Sequence, residues 1–511
     1  MSDAPPTQPP LAAVPLPRPR LPVRTAMLLL FAALVLGVGG RFLFDAPTLG
    51  LNVLAWCGAL VLVALLLARA WRATVGLEGR VLLGSGLLLA AMFAWRDSPL
   101  LTFVNFLAVV TAFALAASHL RGEGLRGASV AQHTLSLVRG HLMGLTGPFS
   151  VAFLAPWKAM GRRSFHPSVA PLARGLVIAS PILSVFALLL TSADAAFARL
   201  FGEALRFDVT ALAASTFAVL SWTWLALGWL YGALIAEPWT ISAGGASAPK
   251  LGLTEVAVVL GSVASLFGAF IGVQAAYFFG GTSQITALTG LTYAEYARKG
   301  FFELVTVAAL VLPMLVGLAG LVRDHERRSV VFRGLCVTIA VLVGVMLLSA
   351  TTRMRLYVDA YGLTLDRLLA TTFMTWVALT LVLFVVTLLT DTLRRFAFLA
   401  VLLGFATTIA LNAANPAALV ANVNLPRALR TPSVTVNGRS FASPDLVHLT
   451  TVGADAIRAL VPHLAALAPT VRAEMQGRVE AALGATRDPR AWNWSRWAAK
   501  VAFERTSRGR E

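Results

Sequence analysis

Apolar residues run along this chain in long blocks, and the polar positions between them are short and clustered. About eleven blocks could cross roughly 30 Å of hydrocarbon as helices rising about 1.5 Å per residue. They are 26–44, 50–68, 81–95, 99–118, 175–191, 209–235, 255–279, 303–322, 334–350, 368–389 and 396–412. Only "RDSP" separates the third from the fourth. The pattern predicts an all-α, polytopic helical membrane protein with about 11 transmembrane helices. In the seventh block, Gly261 with Ser265 and Gly268 with Gly272 are spaced to let a neighbouring helix approach closely.

The two ends break this pattern. Residues 1–22 hold eight prolines and little that could form a core. Residues 1–24 therefore read as a disordered or polyproline-like arm. "AMLLLFAALVLGVGG" follows Arg24 without a small-residue cleavage site, so it reads as a retained first span. The transmembrane domain is expected over 25–413 and a small helical domain over 414–511. In that tail, Ser443 can cap a helix, Pro444 fits its first turn and Gly453 can end it. The link "NPAALVANVNLPRALRTPS" reads as turn and extended chain. Trp494, Trp497 and Val501 share a face of the last helix, either for sugars and lipid headgroups or for packing on the domain or bilayer interface.

Composition agrees: 58% of the 511 residues are hydrophobic and 13% charged, against roughly 25% charged in soluble proteins. The formal charge of +18 would suggest nucleic acid in a soluble chain. Here it reflects arginine and lysine retained in cytoplasmic loops, and no nucleic acid partner is expected. Cys57 and Cys336 lie in separate blocks and read as packing residues. No metal-ligand spacing, phosphate loop or nucleophile elbow is present, so no metal or cofactor is expected.

Charge also predicts sidedness. With the N-terminus inside, the inner segments hold 20 of the 42 basic residues, the outer loops 9 and the tail 13; acids divide 8, 9 and 7. The inner side is then net positive and the outer side neutral, which favours this orientation. An odd number of spans puts the tail outside. The largest inner loop, 119–174, carries seven basic residues. Within it Leu135, Val138, Leu142 and Leu145 share a helical face, predicting a helix along the bilayer surface. That loop reads either as a platform for anionic lipids or a protein partner, or as ordinary topological charge.

Chemistry gathers on the outer side, where sidedness does not call for arginine. "TTRMRLYVDAYGLTLDR" at 351–367 holds Arg353, Arg355, Tyr357, Asp359 and Tyr361. Asp194 ends the fifth block; Tyr293, Tyr296, Arg298 and Glu303 precede or open the eighth; Asn412, Asn415, Asn422 and Asn424 end or follow the eleventh. Charge at a membrane boundary seeks partners, so these motifs are expected to converge. Arg355, Tyr361, Glu303 and Asn415 should be neighbours, with Arg355 and Asp359 able to pair. One reading is a ligand site for an anionic or lipid-linked molecule that the protein binds, transports or senses. Another is a network that only closes helix ends. The alternative function is a membrane enzyme using Asp194, Glu303 or Asp359 as acid or base. A glycosyltransferase would need a large first outer loop, whereas residues 45–48 leave a minimal one, and no internal repeat marks a transporter.

"LLTSADAAFARL", "YAEYARKGFFELVTVAALVLPM", "RLYVDAYGLTLDRL", "NPAALVANVNLPR" and "PDLVHLTTVGADA" resemble a bacterial multi-pass family catalogued as domain of unknown function 4173, with a relative numbered 4153. The likeness covers roughly 180–500. It implies a helical fold in the bacterial cytoplasmic (inner) membrane, and no activity. The family tends to carry an acid after Asn-Pro, where this chain has Ala417.

Overall fold

The computed structural model describes residues 21–122, 124–155, 209–237, 250–278, 301–436, 439–484 and 488–508, with scattered positions between 175 and 194. Among the described residues eleven long helices come first: α1 (Val23–Leu43), α2 (Leu51–Ala70), α3 (Leu77–Trp95), α4 (Pro99–His119), α5 (Val130–Leu154), α6 (Val209–Leu234), α7 (Leu253–Phe278), α8 (Phe301–Leu321), α9 (Val330–Tyr361), α10 (Leu365–Leu389) and α11 (Phe396–Ala414). The tail adds α12 (Pro416–Arg430), strands β1 (Ser433–Val436) and β2 (Arg439–Ala442), then α13 (Pro444–Val452), α14 (Ala454–Leu460), α15 (Pro469–Gly484) and α16 (Trp494–Arg508). Among the described residues ten helices, α1–α4 and α6–α11, are long and apolar enough to cross a membrane. The chain is an all-α polytopic membrane protein. The block at 175–191 falls largely outside the described residues.

The chain divides into two units, residues 1–38 with 142–231 and residues 39–141 with 232–511. In the first, α5 runs antiparallel to α6 with almost no space between backbones. A Cβ on Gly228 would lie 2.3 Å from the Gly144 carbonyl oxygen, and one on Gly147 2.8 Å from Gly228 Cα. Pro148 lies inside α5 and has no N–H, so the Gly144 carbonyl loses its helical donor and turns to the neighbour instead. Trp224 closes this contact, its Nε1 donating to the Leu145 carbonyl at 2.9 Å. The helix expected around residues 135–145 is α5, and it packs against α6. Val138, Leu142 and Leu145 share an exposed face, and Gly140 and Gly147 on the opposite face let the helix backbone approach Ala114 and Gly228.

In the second unit, α7 to α10 and the start of α11 share one apolar core around Leu260, Ala308, Phe332, Ile339, Val343 and Phe384. Helix α7 uses Val256, Leu260 and Phe267 for this packing. Its small-residue stripe is different: no described atom lies within 4 Å of a Cβ placed on Gly261, Gly268 or Gly272. Close approach occurs instead between α3 and α4, where Gly79 meets the Leu120 backbone and Gly86 meets the Phe113 ring. Helix α9 has 32 residues, about 48 Å of rise, so it is longer than the hydrocarbon core is thick. Residues 351–361 are thus its last three turns and not a loop.

The tail has a core of its own. Leu446, Leu449, Leu460, Met475 and Val479 are fully buried. Each such side chain stabilises a water-exposed domain by about 1.5–3 kcal/mol, a drive that helices in lipid lack. The segment expected to be turn and extended chain is helix α12. Asn415 takes a left-handed conformation (φ 57°) and accepts from the Ala418 N–H, while Pro416 occupies the first turn. Capping starts the helix, and burial of Val420, Ala421 and Leu425 against the tail core outweighs the interior Pro426. A hairpin, β1 with β2, pairs Ser433 with Ala442 and Val436 with Arg439; the tail is not made of helices alone.

Candidate functional site

The ends of α1, α3, α9 and α11 and the beginnings of α2, α4 and α10 are the parts of the bundle that the tail touches. Tail and bundle meet here through side chains that the sequence scatters over four hundred positions. Asn493 donates to the carbonyls of Phe93 (2.7 Å) and Arg96 (2.9 Å) at the end of α3. Asp455, only 5% exposed, pairs with Arg96 at 3.3 Å and accepts from the Ser495 hydroxyl. Arg96 also donates to the Asn412 carbonyl at 3.1 Å. The Asn412 amide exchanges two hydrogen bonds with Asn105, at 2.7 and 3.1 Å, joining α11 to α4 inside the apolar layer. Both asparagines are buried, so each satisfies a polar group that would otherwise be costly.

Arg496 is the pivot. Its guanidinium pairs with Asp97 at 2.8 Å and donates to the carbonyls of Leu49 (2.8 Å) and Ala491 (2.7 Å). Close beside it the tail approaches as a bare backbone. Gly453 sits at φ 145°, in the region that favours glycine, and a Cβ there would lie 2.1 Å from the Asp97 carbonyl oxygen. Gly453 therefore ends α13 and also lets the tail touch the bundle. Arg490 completes the seam with a pair to Asp488 at 2.6 Å and a donor to the Phe42 carbonyl at 2.5 Å. Hydrogen bonds from Arg490 hold the Asp488 carboxyl below its ordinary value and raise the arginine correspondingly.

Beneath this seam lies a cleft of about 730 Å³, walled by the α1–α2 connection, the start of α4, and α13 to α16. Its polar wall includes Thr48, Asp97, Ser98, Thr102 and Arg496, and its apolar wall includes Phe103 and Phe106. Both phenylalanines are exposed on α4, at 59% and 56%. Three buried polar atoms of lining residues lack any hydrogen-bond partner: Thr48 Oγ1, Ser98 Oγ and Arg496 Nε. Ser98 is the N-cap of α4, yet its side chain caps nothing, and Pro99 follows it. The first turn of a 21-residue helix thus faces the cleft with its positive end uncapped.

The residues singled out from the sequence are distributed differently. Two of the outer motifs meet, but through residues outside the expected quartet. Asn424 of α12 accepts from Leu363 N–H at 2.9 Å and donates back to its carbonyl at 2.6 Å, clamping the α9–α10 turn. Gly362 (φ 80°) permits this, since a Cβ would come within 2.5 Å of Asn424 Oδ1. Arg427 donates to the Ala360 carbonyl at 3.1 Å. Tyr357 packs edge-on against Tyr361 with ring centroids 5.0 Å apart, and Arg367 lies over the Tyr357 ring at 4.2 Å. Arg353 is buried, whereas Arg355, Asp359 and Tyr361 are exposed. Arg355 and Asp359 form no ion pair among the described residues. Asn415 is spent capping α12. Glu303 is exposed in the first turn of α8, and Asp194 is exposed in the other unit. Among the described residues no hydrogen bond or ion pair joins Arg355, Tyr361, Glu303 and Asn415. Tyr293, Tyr296 and Arg298 lie outside the described residues. Ala417, where an acid was expected, is buried in the tail core and contacts the Gly453 position.

The model for the domain of unknown function DUF4153 matches residues 83–463, from α3 into the tail. This chain belongs to that family. The match is to the relative numbered 4153 and not to 4173, and it begins well before residue 180. No curated protein and no solved structure matches the chain. The DUF4153 match includes Arg96, Asp97, Ser98, Asn105, Asn412 and Asp455, whereas Asn493, Ser495 and Arg496 lie beyond it.

Proposed function

We propose that this DUF4153 protein binds the polar head of an anionic, lipid-linked or lipid-like molecule in the cleft under its tail domain. The carrying observation is the set of three partnerless buried polar atoms, Thr48 Oγ1, Ser98 Oγ and Arg496 Nε, at one cleft. Buried polar atoms are normally satisfied, and a group that supplies acceptors to all three would repay their desolvation. The α4 N-terminus and the Arg496 N–H both favour negative charge. Phe103 and Phe106 continue the site along α4, giving an apolar chain a path beside a span. The carboxylate at the cleft, Asp97, is already engaged by Arg496, which supports a binder over an acid–base catalyst. In the orientation favoured by the basic-residue distribution, this end faces outward from the bacterial inner membrane, and the basic 119–174 loop faces anionic lipid on the other side.

The test uses the full chain in neutral-lipid nanodiscs with lysophosphatidylglycerol, a single-chain anionic amphiphile, followed by native mass spectrometry. The variants Ser98→Ala and Thr48→Val remove partnerless hydroxyls. They should leave the empty protein equally or more stable while weakening binding about tenfold each. Unchanged affinity in both variants would reject the cleft as the headgroup site.

A further inference from the structure

A second cavity, of about 600 Å³, lies within the apolar layer between α4, α5, α10 and α11 and shares no residue with the tail cleft. Its surface is largely apolar; of its five threonines, Thr134, Thr372, Thr407 and Thr408 donate their hydroxyls to their own helices, and two nitrogen-bearing side chains also line it. His133 is 4% exposed, and its Nε2 is buried without a partner. Trp376 Nε1 is likewise buried without a partner. Their chemistry is complementary. His133 Nδ1 lies 3.0 Å from the Ser129 carbonyl, an acceptor, so a neutral imidazole carries its proton there and leaves Nε2 as a bare acceptor. The indole N–H can only donate. On α11, Gly404 keeps the space beside that N–H open: a Cβ would lie 3.6 Å from Trp376 Nε1.

We infer that this cavity binds a long-chain apolar alcohol. Its chain would lie among Leu107, Leu369 and Leu411, and its single hydroxyl would answer the unpaired His133 and Trp376 nitrogens. A hydroxyl donates one hydrogen bond and accepts others, so it matches an acceptor and a donor at once. A hydrocarbon leaves both nitrogens unsatisfied, and an ether can answer only the indole. A charged headgroup is disfavoured because the cavity offers no counter-charge and lies where ions are costly.

The experiment measures equilibrium binding of radiolabelled farnesol, a long-chain alcohol, to the full chain in nanodiscs, with farnesyl methyl ether as competitor. Farnesol should bind saturably at one site, and the ether should compete about tenfold less well, as expected for one lost hydrogen bond. Trp376→Phe and His133→Phe should each weaken farnesol by a similar factor, and Gly404→Leu, which fills the cavity, should abolish binding. Thr48→Val and Ser98→Ala should leave farnesol binding unchanged, which separates this site from the tail cleft. Equal competition by the ether, or saturable binding that survives Gly404→Leu, would overturn the assignment; the first means hydrophobic partition and the second another site. Protease resistance of the tail confirms that each variant is folded, and Trp376→Phe, at a half-buried residue, remains decisive should His133→Phe fail to fold.

Discussion

The two ends of the second unit use charge in opposite ways. At the tail-bearing end, Arg96, Asp455, Asn493 and Arg496 are buried or nearly so and bind across elements far apart in sequence. At the other end, Arg333 and Arg328 share Asp391, and Lys250 and Arg327 share Asp324. Those acids are 50% and 70% exposed, and their partners come from adjoining loops and helix starts. Exposed pairs contribute about 0–1 kcal/mol each, whereas breaking a buried pair costs about 3–5 kcal/mol. Among the described residues, ion pairs with at least one nearly buried partner join the tail to the bundle at the first of these ends. A buried cation among the described residues of the other end, Arg139, donates to the carbonyls of Ser118, Ala236 and Glu237 and so neutralises helix C-terminal charge.

That contrast can be broken most sharply at Asp455. Asp455→Ala leaves Arg96 and Ser495 without their shared acceptor, and should destabilise the docked tail by about 3–5 kcal/mol. Limited proteolysis should then release fragments beginning after Asn415. Gly453→Ala comes next: strain at φ 145° should cost about 1–3 kcal/mol, and the clash with Asp97 adds to it. Tail cleavage should accelerate while the thermal transition of the bundle stays in place. Asn105→Ala and Asn412→Ala each orphan the other's buried amide, for about 1–3 kcal/mol apiece. Their double variant should lose much less than the sum, as measured by a thermal-unfolding cycle. Asp391→Ala, at the opposite end, should change stability by about 1 kcal/mol or less and leave tail proteolysis unchanged. An effect as large as that of Asp455→Ala would erase the distinction between the ends.

The smallest expected effect depends on pH. Glu474 accepts from the Ala442 N–H at 2.8 Å, and this bond, reinforced by Arg478, lowers its pKa below the ordinary glutamate value. A depressed folded-state pKa adds stability that is present above the unfolded value and lost as pH falls through the folded one. The β2–α15 contact should loosen only in acid below the usual glutamate range. Amide exchange at Ala442 should rise there in the native chain and be already fast at neutral pH in Glu474→Ala, which removes the acceptor.

The sequence alone determined what depends on local pattern and solvent. Ten of the predicted spans are helices because twenty apolar residues in lipid have no other way to satisfy their backbone. Ser443, Pro444 and Gly453 mark α13 because capping is decided within a few residues. The stripe in α7 and the surface face of α5 were legible as patterns but not as contacts, because small residues only permit an approach and the neighbour decides whether to use it. For the candidate site the same limit is stronger. Asn105 and Asn412 look like stray amides in apolar blocks until α4 and α11 meet. Asp97 sits in a four-residue link, and Arg496 reads as the polar face of a tryptophan helix. A charge's worth depends on its partner and on local dielectric, and both are fixed only when segments four hundred residues apart close around it.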